Sequence, residues 1–182
     1  MSLLVPGLAL WSGAHLFKRI APDARARLGE PGKGLVALLL TSSVVMIIIG
    51  YRGWDSTMYL WGRHPATVGI NNLLMLLSVY MFAASGMKTA LARRMRHPML
   101  AAVKVWALAH LLVNGDLASL ILFGGLLAWA VVEMIAINRA EPHWEPPEPA
   151  PLRKEVIALG GSLVVYLLIA WVHYLLGYPV FG

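Results

Sequence analysis

Four histidines in or beside apolar stretches are the residues of this chain best suited to chemistry. They are His15, His97, His110 and His173. Imidazoles on facing helices can ligate a haem iron inside a bundle. They can also simply join helices by hydrogen bonds, which is the commoner role of an isolated histidine in an apolar helix. The Trp and Met content of the chain suits a flat apolar ligand, so both interpretations stay open.

Several other chemistries lack the residues they need. The chain has no cysteine, which excludes disulfides, thiolate nucleophiles, iron–sulfur clusters and Cys-rich zinc sites. It has no His-Glu-x-x-His motif or paired carboxylates to favour zinc. Neither a Ser/His/Asp nucleophile motif nor a Gly-rich phosphate loop is present. Haem remains the cofactor that these side chains favour.

The composition indicates the elements that must position the histidines. Apolar residues make up 59% of the 182 residues and charged ones only 13%, against about 45–50% and 25% in soluble domains. Apolar segments near 20 residues long can cross a bilayer, and their backbone must then be helical. We therefore predict an all-α, polytopic membrane helix bundle in a single domain, 1–182. Its six transmembrane helices are Ser2–Phe17, Gly34–Tyr51, Ala66–Met87, Met99–Val113, Leu117–Ile137 and Val156–Leu176.

The basic residues of the connectors lie mainly on one side of these six spans. One side has only Arg52 and Arg63. The other has Lys18, Arg19, Arg25, Arg27, Lys33, Lys88, Arg93, Arg94, Arg96, Arg139, Arg153 and Lys154. Short cytoplasmic loops are rich in Lys and Arg, so both termini are predicted to be non-cytoplasmic. The positive charge thus reflects membrane topology and not nucleic-acid binding. The Pro/Glu-rich 138–155 segment becomes a cytoplasmic loop with an extended connector.

We predict structural roles for several other residues. Lys104 and Glu133 come to similar depth in the bilayer, where each charge needs a partner, and an ion pair between them is predicted. Trp106, His110 and Asn114 are spaced four apart and share one helix face. Asp116 can cap the helix that follows it. A packing contact is also predicted at Gly124-x-x-x-Ala128.

The run Arg96-His97-Pro98-Met99-Leu100, continued by Lys104-Val-Trp106 and by His110 to Ser119, resembles the NnrU family. The opening Gly7-Leu-Ala-Leu-Trp-Ser-Gly-Ala-His15 and the closing Trp171-Val-His173-Tyr fit the same family. The resemblance implies a bacterial inner (cytoplasmic) membrane protein linked to denitrification, in nitrite and nitric oxide reduction. It also implies a respiratory or denitrification enzyme as partner.

A related protein, the plastid 15-cis-zeta-carotene isomerase, binds b-type haem and isomerises a polyene. The resemblance implies that His15 and His110 are the axial ligands of haem b and that an apolar small molecule could be the substrate. Two positions depart from that relative: Ala107 replaces its cysteine, and Tyr51 roughly replaces a second-span histidine. By depth in the predicted topology, His110 with His173, or His15 with His97, would be the better-matched pairs.

Two further functions remain open, so the sequence does not decide whether the protein is an enzyme. Arg96-His97-Pro98 also resembles the S-adenosylmethionine site of membrane methyltransferases. Those enzymes continue with a Tyr and a Gly where this chain has Leu100 and Ala102. The third reading is a non-enzymatic assembly or transport factor for a respiratory complex, with the 138–155 loop as its docking segment.

Overall fold

The computed structural model describes residues 3–55 and 57–181, which are mainly helical. This described part contains no β-strand, although Tyr59 and Asp116 form an isolated antiparallel bridge. The all-α prediction is therefore confirmed. Its helices are α1 (Leu4–Ile20), α2 (Pro22–Arg27), α3 (Pro31–Arg52), α4 (Pro65–Met87), α5 (Ala90–Arg94), α6 (Pro98–Val113), α7 (Leu117–Ala140) and α8 (Leu152–Leu175).

The six predicted segments coincide with α1, α3, α4, α6, α7 and α8, with ends that differ by a few residues. Prolines account for several of the starts, because α3, α4 and α6 begin at Pro31, Pro65 and Pro98. A proline at the first helical position lacks only an N–H that would have no partner there. The short helices α2 and α5 lie in the basic connectors and were not predicted.

The helices differ in whether they are long and apolar enough to cross a membrane. Within the described residues, α3, α4, α7 and α8 are long and apolar enough to cross a membrane, whereas α6 is a shorter apolar helix. The 17 residues of α1 and the 16 of α6 cover about 24–26 Å at 1.5 Å per residue. A bilayer core of about 30 Å exceeds that length. Four of the six predicted spans are thus supported by length and composition.

The chain divides into two compact units, each assembled from separate stretches of sequence. Unit 1 comprises the described residues of Met1–Leu60 together with Asp116–Pro142, and therefore contains α1, α2, α3 and α7. Unit 2 comprises Trp61–Gly115 and the described residues of His143–Gly182, and contains α4, α5, α6 and α8. The prediction of a single domain is not tested by this division and stays a prediction.

Unit 1 is organised around α1, which packs on both α3 and α7. Gly50 of α3 lies so close to Leu4 that a Cβ there would overlap the Leu4 backbone nitrogen. Along α7, Gly125 faces Leu8 of α1, and Trp129 faces His15 further along both helices. Residue numbers thus rise together in α1 and α7, which run parallel. α3 runs antiparallel to α1.

Unit 2 is organised around α4, which packs on α6 and α8. Ser78 Oγ donates a hydrogen bond to the Ala102 carbonyl of α6 at 2.9 Å, and Ala102 is fully buried. Small residues and hydroxyl groups at such contacts let helix backbones approach closely in membrane proteins. Trp61, before α4, donates to the carbonyl of Leu111 near the end of α6, so these two helices are antiparallel.

α8 is also antiparallel to α4, as contacts at its two ends show. Before α4, the Arg63 guanidinium donates to the Pro179 carbonyl beyond α8. After α4, the Ala90 backbone N–H donates to the Glu155 carboxylate in the first turn of α8. Each end of α8 is thereby joined to the opposite end of α4.

The packing contact predicted at Gly124 is wrong, since nothing lies within 4 Å of a Cβ placed there; its neighbour Gly125 makes the close contact, at 3.1 Å from Leu8 Cδ1. Residues 141–151 form neither helix nor strand, as expected of a proline-rich connector.

Candidate histidine sites

His15 lies between two tryptophan rings in unit 1. Its Nδ1–H donates to the Trp11 carbonyl one turn earlier at 3.0 Å. Its ring centroid is 4.3 Å from that of Trp11 and 4.7 Å from that of Trp129. Trp129 is 7% exposed. The hydrogen bond fixes the tautomer, which places the imidazole lone pair on Nε2.

His110 has the same local arrangement in unit 2. Its Nδ1–H donates to the Trp106 carbonyl at 2.9 Å, and the two rings are 5.0 Å apart. Asn114 continues the face by donating from Nδ2 to the His110 carbonyl at 2.9 Å. The predicted shared face of Trp106, His110 and Asn114 is therefore confirmed.

The chain thus contains two matching Trp-x-x-x-His motifs, one in each unit. In both, the rings are tilted, by 45° in the first motif and 50° in the second. In both, the histidine donates to the carbonyl of its tryptophan and carries its lone pair on Nε2. The spacing of four is visible in the sequence for both motifs, but sequence reasoning considered it only for Trp106 and His110. Trp129 reaches His15 through the packing of α7 on α1, which the spacing of the motif does not show.

The other two histidines occupy different positions. His173 donates from Nδ1 to the Ile169 carbonyl at 2.8 Å, and it lies within electrostatic range of His110 in unit 2. His97 precedes the first residue of α6, where Pro98 follows it, and makes no side-chain cap hydrogen bond. The Arg-His-Pro run thus serves as a helix start. His15 and His97 belong to different units, so their predicted pairing by depth stays a prediction.

The donor groups of these sites are single imidazoles. Among the described residues, no group of three or more His, Asp or Glu side chains could hold a metal ion. Haem needs only axial ligands from the protein, because its porphyrin supplies the equatorial nitrogens. A ligating imidazole usually donates its other N–H to a carbonyl or carboxylate, and His15, His110 and His173 each do so.

Unit 1 contains several buried polar atoms that are not hydrogen-bonded. In the part of unit 1 that the structure describes, four buried side-chain atoms have no hydrogen-bond partner: Trp11 Nε1, Arg19 Nε, Trp129 Nε1 and Glu133 Oε2. Glu133 is 6% exposed and lies one helical turn after Trp129. The ion pair predicted between Glu133 and Lys104 joins residues of different units and stays a prediction.

The Asn114-Gly115-Asp116 turn has a structural role. Asp116 Oδ1 accepts from the Ser119 backbone N–H at 2.9 Å, and Asp116 Oδ2 accepts from the Ser119 hydroxyl at 2.6 Å. The predicted cap of α7 is thereby confirmed. Tyr51 forms a hydrogen bond with Ser119 Oγ at 2.8 Å. Its hydroxyl therefore helps to join α3 to α7.

The helices and their outward faces define the class of the chain as an α-helical membrane protein. Large apolar side chains on the candidate spans point outward, with Leu73 72% and Val164 66% exposed, as lipid contact requires. The family model described as "NnrU protein" matches residues 3–180. The chain belongs to the NnrU family. No curated protein and no solved structure matches it.

Proposed function

We propose that this protein binds b-type haem in the membrane, with the Nε2 atoms of His15 and His110 as axial ligands. The observation that carries the proposal is the repeated Trp-x-x-x-His arrangement, one copy in each unit. Both imidazoles have Nδ1 engaged and the lone pair on Nε2. Helix bundles bind cofactors with side chains of this kind.

The chain's own residues would orient the ligands and exclude water. The carbonyls of Trp11 and Trp106 hold each imidazole in one rotation and make it a stronger donor at Nε2. The indole rings of Trp11 and Trp129 pack against the His15 imidazole, and that of Trp106 packs against the His110 imidazole. When bound, haem would supply electron transfer, or a coordination position for a small molecule if one ligand leaves.

The membrane setting is part of the same proposal. We place the chain in the bacterial inner membrane with six spans and both termini outside, acting with a nitrite or nitric oxide reducing enzyme. The helix directions support this topology, because α1 and α7 run parallel, α3 opposes them, and α4 opposes α6 and α8. Ala107 is fully buried beside His110 and offers no alternative ligand, which favours a redox role over polyene isomerisation by ligand exchange.

The topology is tested with single thiols, since the natural chain has no cysteine. Gly62 and Glu148 are both exposed and lie on opposite predicted sides of the membrane. In intact spheroplasts, a membrane-impermeant maleimide is expected to label Gly62→Cys but to label Glu148→Cys only after lysis. Labelling in the reverse order, or of both residues before lysis, would show that the topology is wrong.

The haem proposal is tested by the visible spectrum of the purified protein. We expect a Soret band and a pyridine haemochrome spectrum of haem b, with haem b present either on purification or after reconstitution. A colourless protein that takes up no haem contradicts the proposal. If that colourless protein also co-purified with a reductase subunit, the assembly-factor function would be favoured.

A further inference from the structure

A surface cavity of about 310 Å³ lies beside the short helix α5 in unit 2. It is lined by Ala90, Arg93 and Arg94 of α5 and by Pro146 of the proline-rich connector. All four residues are exposed. Since α5 follows α4 directly and the connector leads into α8, the cavity lies at one end of these two candidate spans. A ligand there would be at the level of lipid headgroups and not in the hydrocarbon core.

Two hydrogen bonds hold the sides of this Arg93–Arg94 cavity in place. Arg93 Nε donates to the Pro147 carbonyl at 2.9 Å, which joins α5 to the connector. The Ala90 backbone N–H donates to Glu155 Oε1 at 2.7 Å, which joins α5 to α8. Side chains that are already positioned lose less conformational freedom when a ligand binds, and this lowers the free-energy cost of binding.

Both arginines have N–H donors left for a ligand. The bond to Pro147 uses Nε of Arg93 and leaves its Nη1 and Nη2. In the described part of the chain, Arg94 forms neither a hydrogen bond nor an ion pair. A guanidinium group is a planar fork of donors that matches two oxygens of a phosphate group. Two such groups beside one cavity therefore favour a phosphate as the ligand.

The charges at this end of unit 2 also favour an anion. Residues 88–96 and 143–155 contain six basic residues and three acidic ones. The basic residues are Lys88, Arg93, Arg94, Arg96, Arg153 and Lys154, and the acidic residues are Glu145, Glu148 and Glu155. Glu155 already accepts the Ala90 N–H. Among the described residues, neither Glu145 nor Glu148 forms an ion pair with the two arginines of the cavity.

Exposed apolar side chains near the cavity favour a lipid over a soluble phosphate compound. On α8, Leu152 is 77% exposed and Val156 is 60% exposed. They lie one helical turn apart, and Val156 is next to Glu155, which contacts α5. A phospholipid offers a phosphate for the arginines and acyl chains for these side chains. Basic pockets near the ends of transmembrane helices on the cytoplasmic side bind lipid headgroups in this way.

We propose that the Arg93–Arg94 cavity binds a phosphate group, which an anionic phospholipid presents while its acyl chains lie along the exposed side of α8. The proposed topology puts this end of unit 2 on the cytoplasmic side, where anionic lipids make the membrane surface negative. No covalent bond forms or breaks on binding. The site involves neither haem nor the histidines, so it is independent of the proposed haem binding.

The test is lipid binding to the full-length protein in detergent, measured by native mass spectrometry. Dioleoyl phosphatidylglycerol is titrated, and dioleoyl phosphatidylcholine serves as a lipid with the same acyl chains and a cationic headgroup. We expect the anionic lipid to bind more tightly. Arg93→Gln/Arg94→Gln should weaken its binding by about tenfold or more, because hydrogen bonds from charged donors are lost. Arg94→Gln alone keeps the bond between Arg93 and Pro147 and should also weaken binding.

The matched control is Arg153→Gln/Lys154→Gln, which removes the same charge at exposed positions that do not line the cavity. This variant should bind the anionic lipid nearly as well as the unmodified protein. Equal losses in the two double variants would overturn the site, because attraction by net charge alone gives that result. Equal binding of the two lipids would overturn it as well. If sn-glycerol 3-phosphate displaces the lipid at equal concentration, the lipid is the wrong source of the phosphate group and that part of the proposal fails.

Discussion

Replacing His110 or His15 by Ala is expected to abolish the Soret band of the purified protein. Each substitution removes an Nε2 donor and leaves the neighbouring carbonyl without its imidazole partner. Loss of a group that hydrogen-bonds a metal ligand commonly lowers metal affinity by about 10–100-fold. Loss of the ligand itself should lower it further. The measurement is the haem content per chain, by visible spectrum and pyridine haemochrome, after purification under identical conditions.

Two controls make this result specific. His143→Ala changes an exposed histidine in the connector and should leave the haem content unchanged. Imidazole added to His110→Ala should partly restore the spectrum by filling the vacated position. If His173→Ala removes the Soret band and His15→Ala does not, haem binding stands, but the ligand pair is His110 and His173 within unit 2.

The second large effect is expected at Gly50, where α1 and α3 approach most closely. A side chain there would overlap the backbone of Leu4, which cannot move without displacing α1. Overpacking of a well-packed contact typically lowers the free energy of unfolding by about 1–3 kcal/mol. Because the clash is with backbone atoms, we expect the loss for Gly50→Leu to lie near the top of that range. For a chain of this size, we expect Tm to fall by several degrees, at about 2–4 °C per kcal/mol.

Gly34→Leu is the matched control for this substitution. It lies on the same helix and has nothing within 4 Å of its Cβ position, so its Tm should stay close to that of the unmodified protein. Both values can be measured by circular dichroism during heating in one detergent. Equal Tm values for the two variants would contradict the close approach of α1 and α3.

Hydropathy, together with prolines and capping residues at helix starts, made most of the fold predictable. Apolar runs located all six long helices, and prolines such as Pro65 and Pro98 marked their first residues within one position. Asp116 was recognisable as a cap from its place before an apolar run. The short α5 was missed because five residues of mixed polarity give no hydrophobic period. The contact at Gly125 was missed because the spacing of Gly124 and Ala128 does not say which face of a helix meets its neighbour.

The candidate site was less predictable than the helices that carry it. Histidines in apolar segments are conspicuous, and His110 was connected with Trp106 by spacing alone. The contact of His15 with Trp129 depends on the parallel packing of α1 and α7, which are distant in sequence. Nothing in the local pattern around either residue encodes that contact.

The interleaved composition of the two units has a consequence for biogenesis. When the ribosome has made α1, α2 and α3, unit 1 still lacks α7, which is synthesised only after α4, α5 and α6. Unit 2 in turn waits for α8, the last helix of the chain. Domains commonly fold in order from the N-terminus during synthesis, but neither unit here can do so before α7 emerges. The pairing of α1 with α3 can therefore form early, whereas the contact of His15 with Trp129 must wait for α7.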